Sequence, residues 1–340
     1  MKVLVTGGAG FIGSHIVDLL RAQDIDVRTL DTQGENGAAG YVRDPSVVAR
    51  AVDGVDAVCH QAARVGLGRD FSDVTDYVSN NDTGTAVLLE ALWRRSFRGR
   101  LVLASSMVVY GDGESRCPQH GVVRPRPRSR HDLAASVFDT RCPFSDCGRL
   151  LTWTAVDEDS PLDPRNVYAA TKLHQEELCR LWAREAGAEV VALRYHNVYG
   201  PRMQGDTPYA GVASIFLSAL ASGRAPEVFE DGHQTRDFIH VRDVARANLL
   251  ALTTSGVPSG AYNIASGTPR TVRELADALA GTVGPRAPRP RVTGRWRLGD
   301  VRHIVASPRK AAAALGFGAD VRFEDGIAEL ADTTVGAAVR

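Results

Sequence analysis

The sequence predicts an α/β protein built on a doubly wound parallel sheet, with a smaller C-terminal lobe and an irregular segment inserted at the rim of the sheet. Three observations predict it. Short runs that are apolar on both faces alternate with helical patterns, a strand passes through a glycine turn into a helix at the very start, and the alternation lapses between Asp112 and Trp153. Strands apolar on both faces belong to a parallel sheet covered by helices.

The first strand is the β-branched run from Lys2 to Thr6, which stops at Gly7-Gly8. Ile12, Ile16, Leu19 and Leu20 then recur at helical spacing. Further strands are expected at residues 27–30, 57–59, 100–104 and 190–193. Beyond Gly200-Pro201-Arg202 the pattern loosens: a helix near 212–221, a Gly- and Asp-rich loop at 231–237 and an amphipathic helix near 272–279. Residues 1–200, interrupted at about 112–153, are expected to form the sheet domain, 201–331 mainly the smaller lobe, and 332–340 a mobile tail.

Forty Lys and Arg balance forty Asp and Glu, so the charge disfavours bulk attraction to nucleic acid or to an anionic membrane. No apolar run approaches the roughly 20 residues that cross a bilayer. One lysine followed by a short apolar run is no secretory signal, and five cysteines are too few for a disulfide scaffold at this length. A cytoplasmic enzyme with reduced thiols is the expectation.

Gly7, Gly10 and Gly13 stand three apart between the first strand and its helix. Glycine there permits the tight turn and lets backbone approach a pyrophosphate, which the free N–H groups of the helix start attract. This points to a Rossmann-type dinucleotide site. Asp31 ends the second strand about 20 residues on, where a carboxylate accepts from ribose hydroxyls and repels a 2′-phosphate. NAD is therefore expected over NADP.

Tyr168-Ala-Ala-Thr-Lys172 places a phenol and an ammonium on one face of a helix. A cation beside a tyrosine favours the phenolate, which makes a usable acid/base. Ser106 follows the strand at 100–104, where ligand-facing groups gather, and can donate to the same substrate oxygen as Tyr168.

Read together, these segments resemble the extended short-chain dehydrogenase/reductase family, in its nucleotide-sugar epimerase/dehydratase branch. Thr6 to Gly13 is similar to that family's T-G-x-x-G-F-I-G entry, His60-Gln-Ala-Ala63 to its H-x-A-A loop, and Asn81-Asp-Thr-Gly84-Thr85 to its N-V-x-G-T helix start. Arg194 to Arg202 resembles R-Y-F-N-V-Y-G-P-R, Thr235-Arg236-Asp237-Phe238 the distal phosphate loop, and Arg297-Leu-Gly-Asp300 the R-P-G-D segment. The resemblance implies that Gly7, Gly10, Phe11, Ile12, Gly13, Asp31, Ala62, Ala63 and Asn81 hold NAD with Tyr168 and Lys172. It implies Tyr168 as the acid/base, Lys172 as the ribose ligand and Ser106 as the polarising hydroxyl. Asn197, Arg202, Arg236 and Arg297 would grip a nucleotide-diphosphate sugar, and a homodimer would form through the helices starting near Gly84 and carrying Tyr168.

Departures from the family pattern narrow the reaction. Met107-Val108 stands where 4,6-dehydratases carry Asp-Glu, and neither residue can protonate a leaving hydroxyl. Decarboxylating relatives place Glu, and 3,5-epimerases Cys, at the position of Val108. What is left is oxidation and re-reduction at one sugar carbon, a 4-epimerase; a reductase or dehydrogenase with exchanging NAD(P)H, or an NAD-sensing binding protein, are the competing readings. Gly40-Tyr41-Val42 replaces the usual G-D-I and His196 the usual Phe beside the nicotinamide.

Within the insertion, Cys117-Pro-Gln-His120 and Cys142-Pro-Phe-Ser-Asp-Cys147 each pair two soft ligands across a tight turn, as in a zinc ribbon. One structural zinc is expected, because a segment so poor in apolar residues needs a staple. Lying between Ser106 and Tyr168, the insertion is expected over the mouth of the active site.

Overall fold

The computed structural model describes residues 1–33, 38–66, 70–203, 205 and 211–338. Its central sheet contains β1 (Lys2–Thr6), β2 (Asp26–Asp31), β3 (Ala38–Ala39), β4 (Ala57–His60), β5 (Arg100–Ser106), β6 (Glu189–Tyr195) and β7 (Gly260–Ile264). They run in the order β3-β2-β1-β4-β5-β6-β7, every neighbouring pair parallel. Strand order reverses between β1 and β4, which opens a crevice at the strands' carboxyl ends.

The helices used below are α1 (Phe11–Ala22), α2 (Pro45–Ala51), α3 (Gly84–Arg94), α4 (Val167–Ala186), α5 (Val212–Ala221), α6 (Val241–Thr253), α7 (Val272–Val283), α8 (Arg309–Leu315) and α9 (Phe323–Ala338). Val3 and Val5 of β1 face a core shared with Ile16 and Leu20 of α1 and Val244 and Ala247 of α6. Leu4, between them, faces the opposite core with Val48 of α2, Leu88 and Leu92 of α3 and Trp182 of α4. That alternation is the period-two geometry of a strand covered on both sides. Truncating Leu88, which is fully buried, to alanine would cost about 2–5 kcal/mol.

Local signals set the helix ends. Asn166 caps α4 by accepting from the Ala169 N–H at 2.9 Å, and Gly187 ends it in the left-handed region at φ 65°. Thr271 and Glu274 form a reciprocal capping box on α7.

The second lobe packs α5, α7 and α9 around Phe216, Leu275, Leu279 and Phe238. A small sheet of Asn197–Tyr199, Thr235–His240, Pro269–Thr271 and His303–Ile304 carries the distal loops. The expected division at residue 200 is crossed, however: α6, β7 and α8 return to the cofactor-side sheet. Residues 332–338 of the expected tail continue α9, and 339–340 lie outside the described residues.

The insertion folds as a three-stranded antiparallel unit, Gly121–Val123, Ser115–Cys117 and Thr152–Trp153, over a miniature core of Cys117, Val123 and Cys142. Among the described residues no helix is long and apolar enough to cross a membrane.

Candidate active site

One continuous cleft of about 1240 Å³ runs along the carboxyl ends of the sheet and into the second lobe. At its first end the glycine turn is built by close approach. Gly7 takes φ 69°, and a Cβ there would meet the Ala62 nitrogen at 2.7 Å. A Cβ on Gly13 would meet the Gly7 carbonyl oxygen at 2.0 Å, so nothing larger lets α1 pack onto β1. Gly10 begins α1 with no side-chain cap, which leaves the first N–H groups facing the cleft for an anion.

Phe11, Ile12, Asp31, Ala62 and Ala63 line this end as expected. The Asp31 carboxylate accepts from the Ala9 N–H at 3.0 Å and from the Gln33 N–H at 3.1 Å, which fixes it beside the turn. Tyr41 and Val42 also line the cleft, with the Arg43 guanidinium 4.7 Å from the Tyr41 ring centroid. These residues fit a dinucleotide: a cradle that any Cβ would fill, free helix N–H groups and a held carboxylate.

Asn81 does not reach the cleft. Fully buried, it clamps residue 64 from behind, accepting from the Arg64 N–H at 2.6 Å and donating to the Arg64 carbonyl at 3.0 Å and to Thr171 at 2.9 Å. It therefore shapes the cofactor-side loop without facing it. A buried polar chain lies beside it: His60 bonds Thr6 through Nδ1 at 2.7 Å and Thr85 through Nε2 at 3.0 Å, and Gln175 of α4 donates to Thr85 at 2.6 Å. Burial, and secondly the Lys172 charge, push His60 down to about 3, so it is neutral.

In the middle of the cleft α4 presents Tyr168 and Lys172 against the end of β5, where Ser106 sits. The Lys172 ammonium lies 6.0 Å from the Tyr168 ring centroid and donates to the Ala104 carbonyl at 2.8 Å. Desolvation pushes the phenol up to about 12, while the hydrogen bond from Ser106 pulls it back. Desolvation also brings Lys172 down to about 8, against the nearby acidic groups that raise it.

At the far end Asn197, Arg236 and Arg297 line the wall. Arg236 donates to the carbonyls of Thr235 at 2.9 Å, Arg302 at 3.0 Å and Val301 at 2.6 Å, so its fork is held by backbone. Arg297 lies 5.1 Å from the Phe229 ring centroid. Among the described residues, Asn197 Oδ1 and both ring nitrogens of His196 have no hydrogen-bond partner, although both residues line the cleft. Buried polar atoms left so are where ligand groups are expected. Arg202 is not brought here. It pairs with Asp18 of α1 at 2.7 Å and lines no part of the cleft, because its left-handed backbone, φ 65°, turns the side chain toward that carboxylate.

Residues that the sequence reading missed also shape this end: Phe229 and Glu230 line the cleft, beside Asp300 of the Arg297–Asp300 segment. The Glu-Asp-Gly run at 230–232 was visible only as turn composition.

The insertion brings its four candidate ligands together. The ligand atoms of Cys117, His120, Cys142 and Cys147 all lie within 4.8 Å of one another. Cys117 and Cys147 sulfurs are 3.6 Å apart, and His120 Nδ1 is 3.7 Å from Cys117 Sγ and 3.3 Å from Cys142 Sγ. Zn–S bonds of about 2.3 Å at tetrahedral angles put sulfurs about 3.7 Å apart. Contrary to expectation, no residue of 112–153 lines the cleft among the described residues; the insertion flanks the far end instead.

A dinucleotide cradle opening onto a serine, a tyrosine and a lysine defines an enzyme of the short-chain dehydrogenase/reductase type. The chain belongs to the NAD dependent epimerase/dehydratase family, whose model matches residues 3–142 and 137–265. It is 31% identical to the dTDP-L-rhamnose 4-epimerase of Burkholderia thailandensis over 97% of this chain and 93% of that protein. It is 30% identical to the dTDP-glucose 4,6-dehydratase of an Actinoplanes species, over 97% of this chain and 96% of that one. The structure of the Thermus thermophilus UDP-glucose 4-epimerase in complex with NAD superposes with a TM-score of 0.79 at 31% identity, covering 99% of this chain and all of that one.

Proposed function

We propose that the protein is an NAD-dependent nucleotide-sugar 4-epimerase. The observation that carries this reading is the single cleft, in which Ser106, Tyr168 and Lys172 stand between the glycine cradle and a far wall furnished with Asn197, Arg236 and Arg297. A nucleotide-diphosphate sugar laid along that wall puts its sugar against Tyr168. The phenolate removes the C4 hydroxyl proton, assisted by Ser106, as the hydride leaves the same carbon. NAD supplies the acceptor for that hydride and its return. The 4-keto sugar turns over, the opposite face is reduced, and Tyr168 gives the proton back. Lys172 holds the cofactor ribose, the Ser106 hydrogen bond lowers the phenol, and Arg236 and Arg297 pair with phosphate oxygens.

Epimerisation is favoured over dehydration because Met107 and Val108, which line the cleft, hold no proton to give a leaving hydroxyl. Incubation with a panel of UDP- and dTDP-sugars, read by NMR, tests the assignment. The expected result is a C4 epimer at equilibrium with no added NADH; a 4-keto-6-deoxy product, or a demand for stoichiometric NAD(P)H, overturns it.

Four further parts belong to the same proposal. NAD is preferred over NADP, supported by the Asp31 carboxylate in the cleft. Cys117, His120, Cys142 and Cys147 hold one structural zinc, supported by spacings that match a closed tetrahedral site. A homodimer forms through α3 and α4, supported by the exposed Trp93 and Leu181 on those helices. A reducing cytoplasm is the location that suits thiols standing unpaired at all five cysteines.

A further inference from the structure

The insertion touches the far end of the cleft from behind, through charge. Arg302, only 2% exposed, donates from Nε to Asp139 of the insertion at 2.9 Å, from Nη1 to Glu230 at 2.9 Å and from Nη1 and Nη2 to the two oxygens of Asp231, each at 2.7 Å. Arg128, also of the insertion, pairs with Glu230 at 2.8 Å and donates to the Asp300 carbonyl at 2.6 Å. Glu230 is 2% exposed, so its charge is tolerable only while both guanidinium groups remain in place. The Phe138 ring, 5.9 Å from the Arg302 guanidinium, closes the contact.

The same short segment supports Arg236, which donates to the carbonyls of Val301 and Arg302. Arginine has five N–H donors, and three are directed at carbonyls here, so the backbone at 301–302 decides which edge of the guanidinium faces the cleft.

We infer that Asp139 and Arg128 are positioning residues for the diphosphate of the substrate. By fixing Arg302 and the 300–302 backbone they hold the Arg236 fork in its anion-binding orientation. The insertion thereby sets nucleotide affinity without entering the cleft. This rests on the reading that Arg236 meets a nucleoside diphosphate.

The test uses the NAD-loaded full chain and calorimetric affinities for UDP and dTDP, following whichever binds the wild type more tightly. Asp139→Asn and Arg128→Lys are expected to weaken that nucleotide about tenfold, as when the competent arrangement falls to about a tenth of the population. NAD affinity should be unchanged in both, and Asp139→Glu should restore most of the nucleotide affinity. Arg128→Lys keeps the charge and removes only the planar fork, which keeps the test open should Asp139→Asn fold poorly. A merely structural contact would lower the melting temperature and leave nucleotide affinity alone, and that result overturns the inference. Arg236→Gln separates the two readings. Weakened nucleotide binding in Arg236→Gln with none in the other variants sinks the inference alone, whereas unchanged binding in Arg236→Gln, or no nucleotide binding by the wild type, sinks the underlying reading as well.

Discussion

The ammonium of Lys172 donates to the main-chain carbonyl of Ala104 at 2.8 Å, so the helix bearing the acid/base is tied directly to the strand that ends at Ser106. This bond, together with that from the Ser105 hydroxyl of β5 to the Glu176 carboxylate of α4, keeps the phenol and the serine hydroxyl in register. Desolvation pulls this lysine down to about 8, and Cys179, Glu176 and Asp82 oppose it, so it keeps a proton near neutrality.

Tyr168→Phe removes the proton acceptor and leaves Lys172 in place. Turnover is expected to fall by about a hundred- to ten-thousand-fold, with NAD affinity unchanged. Steady-state kinetics and cofactor titration check this, and turnover within a few-fold of wild type would take Tyr168 out of the mechanism.

Lys172 makes stability depend on pH with a definite sign. Its folded value of about 8 lies below its ordinary 10.5, so between these limits the unfolded chain holds a proton the native protein lacks. Raising the pH through that window stabilises the fold, while the penalty of the buried charge is fully present below it. Relative to Lys172→Met, the wild type should gain about 2 kcal/mol from pH 7.5 to 9.5. Urea unfolding of cofactor-free protein at both pH values measures it, and a loss or no change contradicts it.

Asp31 is expected to set the cofactor. Calorimetry should find tighter binding of NAD than of NADP, and Asp31→Asn should narrow the gap by removing the charge that repels a 2′-phosphate. Tighter NADP binding by the wild type would reverse the assignment.

The insertion should retain one zinc per chain after purification without chelator, and Cys142→Ser combined with Cys147→Ser should abolish it. Backbone N–H groups of Gln119 and His120 bring Cys117 down to about 6 against the opposing effect of desolvation, so one thiolate is already favoured. Elemental analysis without zinc, or with zinc unchanged in the double variant, returns these residues to free thiols.

Light scattering at micromolar concentration should give a dimer mass, and Trp93→Glu with Leu181→Glu should give a monomer. A monomeric wild type refutes the α3–α4 interface.

The glycine turn, Ser106 and the Tyr168–Lys172 pair were legible in sequence because each is a local pattern within one strand–turn–helix or one helical turn. The four insertion ligands were legible for the same reason, two to a knuckle. What escaped was long-range. β7 pairs with β6 across some 65 residues, and nothing in Gly260–Ile264 announces which sheet it joins. Arg202 looked like a phosphate ligand because of its neighbours in sequence, yet its backbone conformation aims it at Asp18. Asn81 read as a cofactor contact and proved a brace, since a helix position alone does not say whether a side chain reaches the cavity or stops behind its wall. The Arg302 hub depends on five side chains from three separate stretches, each of them ordinary when read alone.

The chain of Thr6, His60, Thr85 and Gln175 links the first strand, the fourth strand and two helices with groups that are all uncharged and out of water. A joint of that kind is insensitive to salt, and with His60 held near 3 it ignores acidity across the physiological range. The glycine turn and the helix of Tyr168 are thus coupled by a neutral mechanical linkage, and changes of ionic strength or pH reach the reacting groups through charged residues rather than through this joint.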